Sequence, residues 1–139
     1  MLIYGIGGCV KIRLEFDITP YPKRTPIFST RGKFARAIPN KKTKAFQEEI
    51  KRTCKYTGPI IETPLQVKAI FFFVRPKSVK RNYPSVKPDL DNLSKSLMDA
   101  LEGVIFKNDA QIIDMKLTKR YAEKAKIIVE IEEINENQG

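Results

Sequence analysis

From Val10 to Ile18 the chain alternates without a break: Val10, Ile12, Leu14, Phe16 and Ile18 are apolar, and Lys11, Arg13, Glu15 and Asp17 between them are charged. A period of two marks a strand with one face on a core and the other in water. Leu65 to Val74 is a second strand, with Leu65, Val67, Ala69, Phe71 and Phe73 on one side. Its later residues are apolar on both faces, which predicts a central place in the sheet. Ile112–Tyr121 and Lys126–Ile134 are two more strands, and their short connection through Ala122, Glu123 and Lys124 predicts a hairpin. Lys33–Ile38 reads as a short strand stopped by Pro39, and Thr19–Arg31, with Pro20, Pro22 and Pro26, as an irregular loop.

Helical spacing appears twice. Phe46, Ile50, Thr53 and Cys54 fall at it between Thr43 and Tyr56, before Gly58-Pro59. A second helix runs from about Asp91 to Glu102, with Leu93, Leu97 and Leu101 on one side and Gly103 at its end. The order β, β, α, β, α, β, β predicts an α+β fold: a mixed or antiparallel sheet with helices packed on it. At 139 residues the chain has the size of a single domain, placed here at 10–134. Residues 1–9 form an extension of unknown role, and 135–139 are expected to be a disordered tail. Nothing near 18 consecutive apolar residues occurs, so no membrane span is expected. No basic stretch precedes the apolar start, which argues against a signal peptide. Cys9 and Cys54 lack metal-ligand spacing and read as reduced thiols of a cytoplasmic protein.

The net charge is +10 and it is segregated. No acid lies between Asp17 and Glu48, where Lys23, Arg24, Arg31, Lys33, Arg36, Lys41, Lys42 and Lys44 stand. None lies between Glu62 and Asp89, where Arg75, Lys77, Lys80, Arg81 and Lys87 crowd a loop with Pro76, Pro84 and Pro88. Segregation of this kind suggests a phosphate-binding surface. The candidate phosphate contacts are Lys23, Arg24, Arg31, Lys33, Arg36, Lys77, Lys80, Arg81 and Lys87. Tyr21, Phe28 and Tyr83 in the same loops are placed either to stack on exposed bases or to pack the loops onto the core.

The chain has no histidine. Ser-His-Asp and Cys-His nucleophiles, His-ligated zinc and His acid–base catalysis are therefore excluded. Chemistry on a phosphodiester must then come from carboxylates, lysines, tyrosines or a metal held by oxygen, for which magnesium is the natural choice. One segment has the groups for it: Lys87-Pro88-Asp89-Leu90-Asp91-Asn92. If an extended conformation persists through it, Asp89 and Asp91 share a side, and their repulsion is relieved by a cation. Asp91, Lys95, Asp99 and Glu102 then fall within a roughly 80° sector of the helix, with Lys95 one turn after Asp91. Asp109 follows the helix, and helix plus loop would fold it back toward Asp89 and Asp91. A plainer reading stands beside this one: Asp91 or Asn92 caps the helix, Asp91–Lys95 is a surface pair, and Asp109 shapes a turn.

Taken together, KPDLDNLSKSLMDALEGVIFKNDAQIID resembles the RusA family of Holliday junction resolvases. The resemblance lies in Asp89, Asp91 and Asn92, then Leu93 and Lys95 down the helix, then Asp99, Ala100 and Leu101, then Asp109 and Gln111. It is strong over 87–114 and weaker toward the N-terminus. It implies a homodimeric endonuclease, dependent on magnesium (or manganese in its place), that nicks opposed strands of branched, four-way DNA. Carried over by position, it makes Asp89, Asp91 and Asp109 the metal-binding acids and Lys95 the catalytic lysine. Asn108 departs from the pattern, standing where members often have a second acid. Two other classes remain in view: a nuclease of flaps or forks, and a basic binding module without catalysis.

Overall fold

The computed structural model describes residues 2–6, 9–25, 27–29, 36–38 and 40–135, with the strands at 2–6, 27–29 and 36–38 described by backbone alone. Five strands form the main sheet in the order β1-β2-β7-β5-β6. They are β1 (Leu2–Ile6), β2 (Cys9–Phe16), β5 (Leu65–Val74), β6 (Ile112–Ala122) and β7 (Lys126–Glu133). β5 pairs in parallel with β6 and antiparallel with β7, so the sheet is mixed. The fold is α+β, as the pattern of elements requires.

Register explains the core. Ile12 faces Ile131, Leu14 faces Val129 and Phe16 faces Ile127 across β2 and β7. On the other side of β7, Val67, Ala69 and Phe71 face the same three residues. All nine are buried, so one face of the sheet is a continuous apolar ladder. Two helices cover it: α1 (Lys41–Thr53) with Phe46 and Ile50, and α2 (Leu90–Leu101) with Leu93, Leu97 and Leu101. α1 starts where Asn40 accepts hydrogen bonds from the Lys42 and Thr43 amides at 3.1 and 3.3 Å. α2 ends before Gly103, whose φ of 83° suits a residue without a side chain. Gln47 Nε2 donates to the Ser96 carbonyl at 3.2 Å, linking the helices.

Three expectations need correction. β6 and β7 are not a hairpin, because β5 lies between them. The connection after Ala122 arches over one strand, and the apolar match of β7 with both β2 and β5 outweighs the local pairing that a short loop suggests. The expected loop at 19–31 contains β3 (Ile27–Ser29), paired with β4 (Arg36–Ile38) in a second, two-stranded sheet. Part of the N-terminal extension is β1, antiparallel to β2 at the edge of the main sheet. The expected tail at 136–139 lies outside the described residues. Cys9 and Cys54 are free thiols. Among the described residues no helix is long and apolar enough to cross a membrane.

Candidate active site

Asp89 is extended (φ −75°, ψ 149°) and occupies the N-cap of α2, yet its carboxylate accepts no capping hydrogen bond. The helix begins at Leu90, and the Leu93 amide already donates to the Asp89 carbonyl at 3.1 Å. The extended conformation therefore does not persist to Asp91, and the two acids stand at a helix start rather than on one side of a strand. The positive end of the helix dipole favours both charges. An N-cap Asp that capped would contribute about 0.5–2 kcal/mol. Asp89 forgoes that contribution, and its oxygens remain available for other partners.

Asp91 Oδ2 lies 3.8 Å from Lys95 Nζ, with the two side chains 69% and 62% exposed. An exposed i,i+4 pair of this kind contributes about 0.2–0.5 kcal/mol, so both groups are easily surrendered to a ligand. Behind the acids, Lys119 of β6 donates from Nζ to the Val86 and Pro88 carbonyls at 2.8 and 3.0 Å. That half-buried ammonium ties the end of the 75–88 loop to the sheet, one residue before Asp89. Nothing local in the sequence points to Lys119, because a lysine on an alternating strand looks like any solvated charge.

The remaining polar positions of α2 are engaged farther along. Lys23 Nζ pairs with Asp99 Oδ2 at 2.6 Å, and the Lys23 amide donates to the Asn92 carbonyl at 2.9 Å. Thr43 Oγ1 donates to the Pro22 carbonyl and accepts from the Arg24 amide, which seats residues 20–25 across both helices. Tyr21 packs on the core, with the Arg24 guanidinium 5.8 Å from its ring centre. At the far end of α2, Glu102 Oε2 accepts from the Asp109 amide at 3.1 Å.

Asp109 opens a short 3-10 turn, Asp109–Gln111. Asn108 Oδ1 accepts from the Ala110 amide, and Gln111 Oε1 accepts from the Asn108 amide. Gln111 Nε2 donates to the Ile61 and Thr63 carbonyls. Asn108 and Gln111 thus shape and anchor the loop, while the Asp109 side chain is exposed. Glu102 is eleven residues past Asp91, about 16 Å along a helix axis at 1.5 Å per residue. Asp109 is thus tied to the C-terminal end of α2, whereas Asp89 and Asp91 stand at its N-terminal start. Among the described residues no three acids or cysteines stand close enough to hold a metal. Asp91 and Lys95 are brought together, Asp89 stands two residues before Asp91 at the same helix start, and Asp109 lies by the other end of the helix. The donors nonetheless suit a hard cation, since they are carboxylate oxygens without nitrogen or sulfur.

Of the candidate DNA contacts, Lys77, Lys80, Arg81 and Lys87 are exposed on the 75–88 loop. Arg81 Nε donates to Tyr121 Oη at 3.1 Å, and the Arg120 guanidinium lies 5.5 Å from the ring centre of exposed Tyr83. Lys23 and Arg24 are exposed beside α2. Arg31 and Lys33, like the side chains of Phe28 and Arg36, lie outside the described residues.

The family model for endodeoxyribonuclease RusA matches residues 17–132, which include both helices, the acidic segment and Asp109. A Bacillus subtilis (strain 168) protein, "Uncharacterized protein YqaN", is 31% identical over 108 residues, covering 68% of this chain and 76% of that one. The "Crossover junction endodeoxyribonuclease rusA" of Lactococcus phage r1t is 33% identical over 73 residues, covering 51% of this chain and 56% of the phage protein. With its family match spanning most of its length and taking in both helices and the acids at their ends, the chain belongs to the RusA endodeoxyribonuclease family.

Proposed function

We propose that this enzyme resolves four-way DNA junctions by paired, magnesium-dependent nicks in opposed strands, in recombination and repair. The observation that carries the reading is the pair Asp89 and Asp91: two carboxylates at the positive end of α2, one declining to cap and the other only loosely paired. Further support comes from the phage relative, whose name assigns it to crossover junctions.

In this mechanism Asp89 and Asp91 hold the metal and Asp109 completes the set. Because Asp109 is tied to the opposite end of α2 and no three acids cluster among the described residues, we read the complete set as shared between two copies, with Asp109 supplied by the second. These carboxylates would hold magnesium (or manganese), which when bound would activate the attacking water and neutralise charge on the phosphate. Lys95 exchanges its weak contact with Asp91 for a non-bridging phosphate oxygen and stabilises charge as it builds there. Lys119 does not touch substrate in this scheme; it positions Asp89 by holding the Pro88 carbonyl. The basic residues at 20–44 and 75–87 take phosphates of the DNA arms and so set register rather than sequence. A homodimer also supplies the two-fold relation that cutting opposed strands needs.

Asp91→Asn keeps the side chain's size and removes its charge. It is expected to abolish metal-dependent cleavage while leaving junction binding within about threefold, because phosphate contacts dominate affinity. Cleavage by Asp91→Asn at the unsubstituted rate would overturn the assignment. Preferential cutting of flaps or forks would place the substrate among other branched DNAs.

A further inference from the structure

The 75–88 loop has a feature that binding phosphates does not require. Where it lies over the ends of β5 and β6 it encloses an apolar cleft of about 160 Å³. Phe73, Val74, Pro84, Val86 and Tyr121 form its apolar lining. Arg81, Lys87 and Lys119 also line it, and no acid does. Pro88, another lining residue, is bonded directly to Asp89.

Three further observations bear on what enters. Val74 and Val86 in its lining are 54% and 48% exposed, and Tyr83 of the same loop is 62% exposed, so apolar surface is left open beside a strongly basic loop. Two of the three cations are held, Arg81 by Tyr121 Oη and Lys119 by two carbonyls. Its lining reaches Pro88, the residue before Asp89. An apolar, aromatic-lined cleft with fixed cations and no carboxylate is complementary to a planar base flanked by phosphates. A base within a duplex stack cannot enter such a cleft, but an unpaired one can.

We infer that this cleft receives one unstacked base of the DNA, next to the phosphate that is cut, and that its lining sets which bases are accepted there. The inference rests on the reading that the enzyme acts on branched DNA, which offers such bases at the crossover. It is measurable without any cleavage.

The full chain, labelled at valine methyls, would be titrated in EDTA with two single-stranded trinucleotides, one of thymidines and one with an abasic centre. Saturable shifts of Val74 and Val86 are expected with the first, with affinity about tenfold lower for the second, since stacking on the protein is lost. A Val86→Trp substitution, at an exposed position that folding does not depend on, fills the cleft. It is expected to bring thymidine binding down to the abasic level and leave abasic binding unchanged. Equal affinity for the two strands, or shifts confined to other methyls, would overturn the inference and leave the loop a phosphate-binding surface only. Saturation of the cleft by thymidines in a protein that cuts no junction would instead defeat the resolvase reading and leave the cleft standing.

Discussion

Replacing Lys119 by methionine removes a charge and two hydrogen bonds while keeping a side chain of similar length. The bonds run from Nζ to the Val86 and Pro88 carbonyls at 2.8 and 3.0 Å. A bond from a charged donor contributes about 1.5–3 kcal/mol net when buried. Lys119 is half-buried, so water replaces part of what is lost, and the two together should be worth about 1.5–3 kcal/mol. For a domain of this size that corresponds to a fall in Tm of roughly 4–10 °C. The effect on chemistry should be larger than a general destabilisation would cause, because the loosened carbonyl belongs to the residue before Asp89. A displacement of about 1 Å at a reacting centre costs on the order of 100-fold, so cleavage should slow by roughly 10- to 100-fold at a temperature where the variant is folded. Lys116→Met is the control: Lys116 lies on the same strand, exposed, its side chain without an ion pair or hydrogen bond among the described residues. Thermal melts and single-turnover cleavage of both variants test this. If Lys119→Met melts and cuts like Lys116→Met, the positioning role assigned to Lys119 is wrong.

Four other outcomes are expected. Mixing Asp91→Asn chains with Asp109→Asn chains, each inactive alone, should restore about a quarter of the functional sites if two copies share the acids; no recovery would place all three in one chain. Ser96→Ala should stabilise the fold by about 0.5–2 kcal/mol in denaturant titrations, because Ser96 Oγ is buried without a hydrogen-bond partner among the described residues, in the middle of α2; a loss of stability would reveal an unseen partner. Leu97→Ala, at a fully buried position on α2, should cost about 2–5 kcal/mol. Burial pushes the Cys54 thiol pKa up, the Tyr56 backbone opposing only in part. Alkylation of Cys54 near pH 8 should therefore be slower than that of glutathione until the protein is unfolded. Since the raised value favours the thiol in the folded state, this group's contribution to stability is intact below the ordinary thiol range and declines as the pH rises through it.

What could be read from the sequence was local. The alternation in β2, the apolar run of β5 and the Leu93, Leu97, Leu101 stripe each follow from one element's own contact with the core, and all three appear where their periods place them. Gly103 ends α2 because its backbone turns to positive φ there. Pairing between strands was less legible. β6 and β7 have the composition of a hairpin, and only the match of Val67, Ala69 and Phe71 to the inner face of β7 places β5 between them. The site divides in the same way. Asp91 and Lys95 are one helical turn apart, so spacing alone brings them together, with Asp89 two residues before. Asp109 is placed by the length of α2 and by the anchoring of Gln111 to the carbonyls of residues 61 and 63, neither of which a motif records. Lys23 and Asp99 are 76 residues apart in sequence and meet only because the 20–25 loop is seated on α2.

The most direct test of the central claim is cleavage of a synthetic four-way junction beside a linear duplex of the same sequence, with magnesium and with EDTA. The account predicts paired nicks in opposed strands of the junction, only with magnesium, and an intact duplex. Tight binding to the junction with no nick under any divalent ion would contradict it, and would return Asp89 and Asp91 to the role of charges at a helix start.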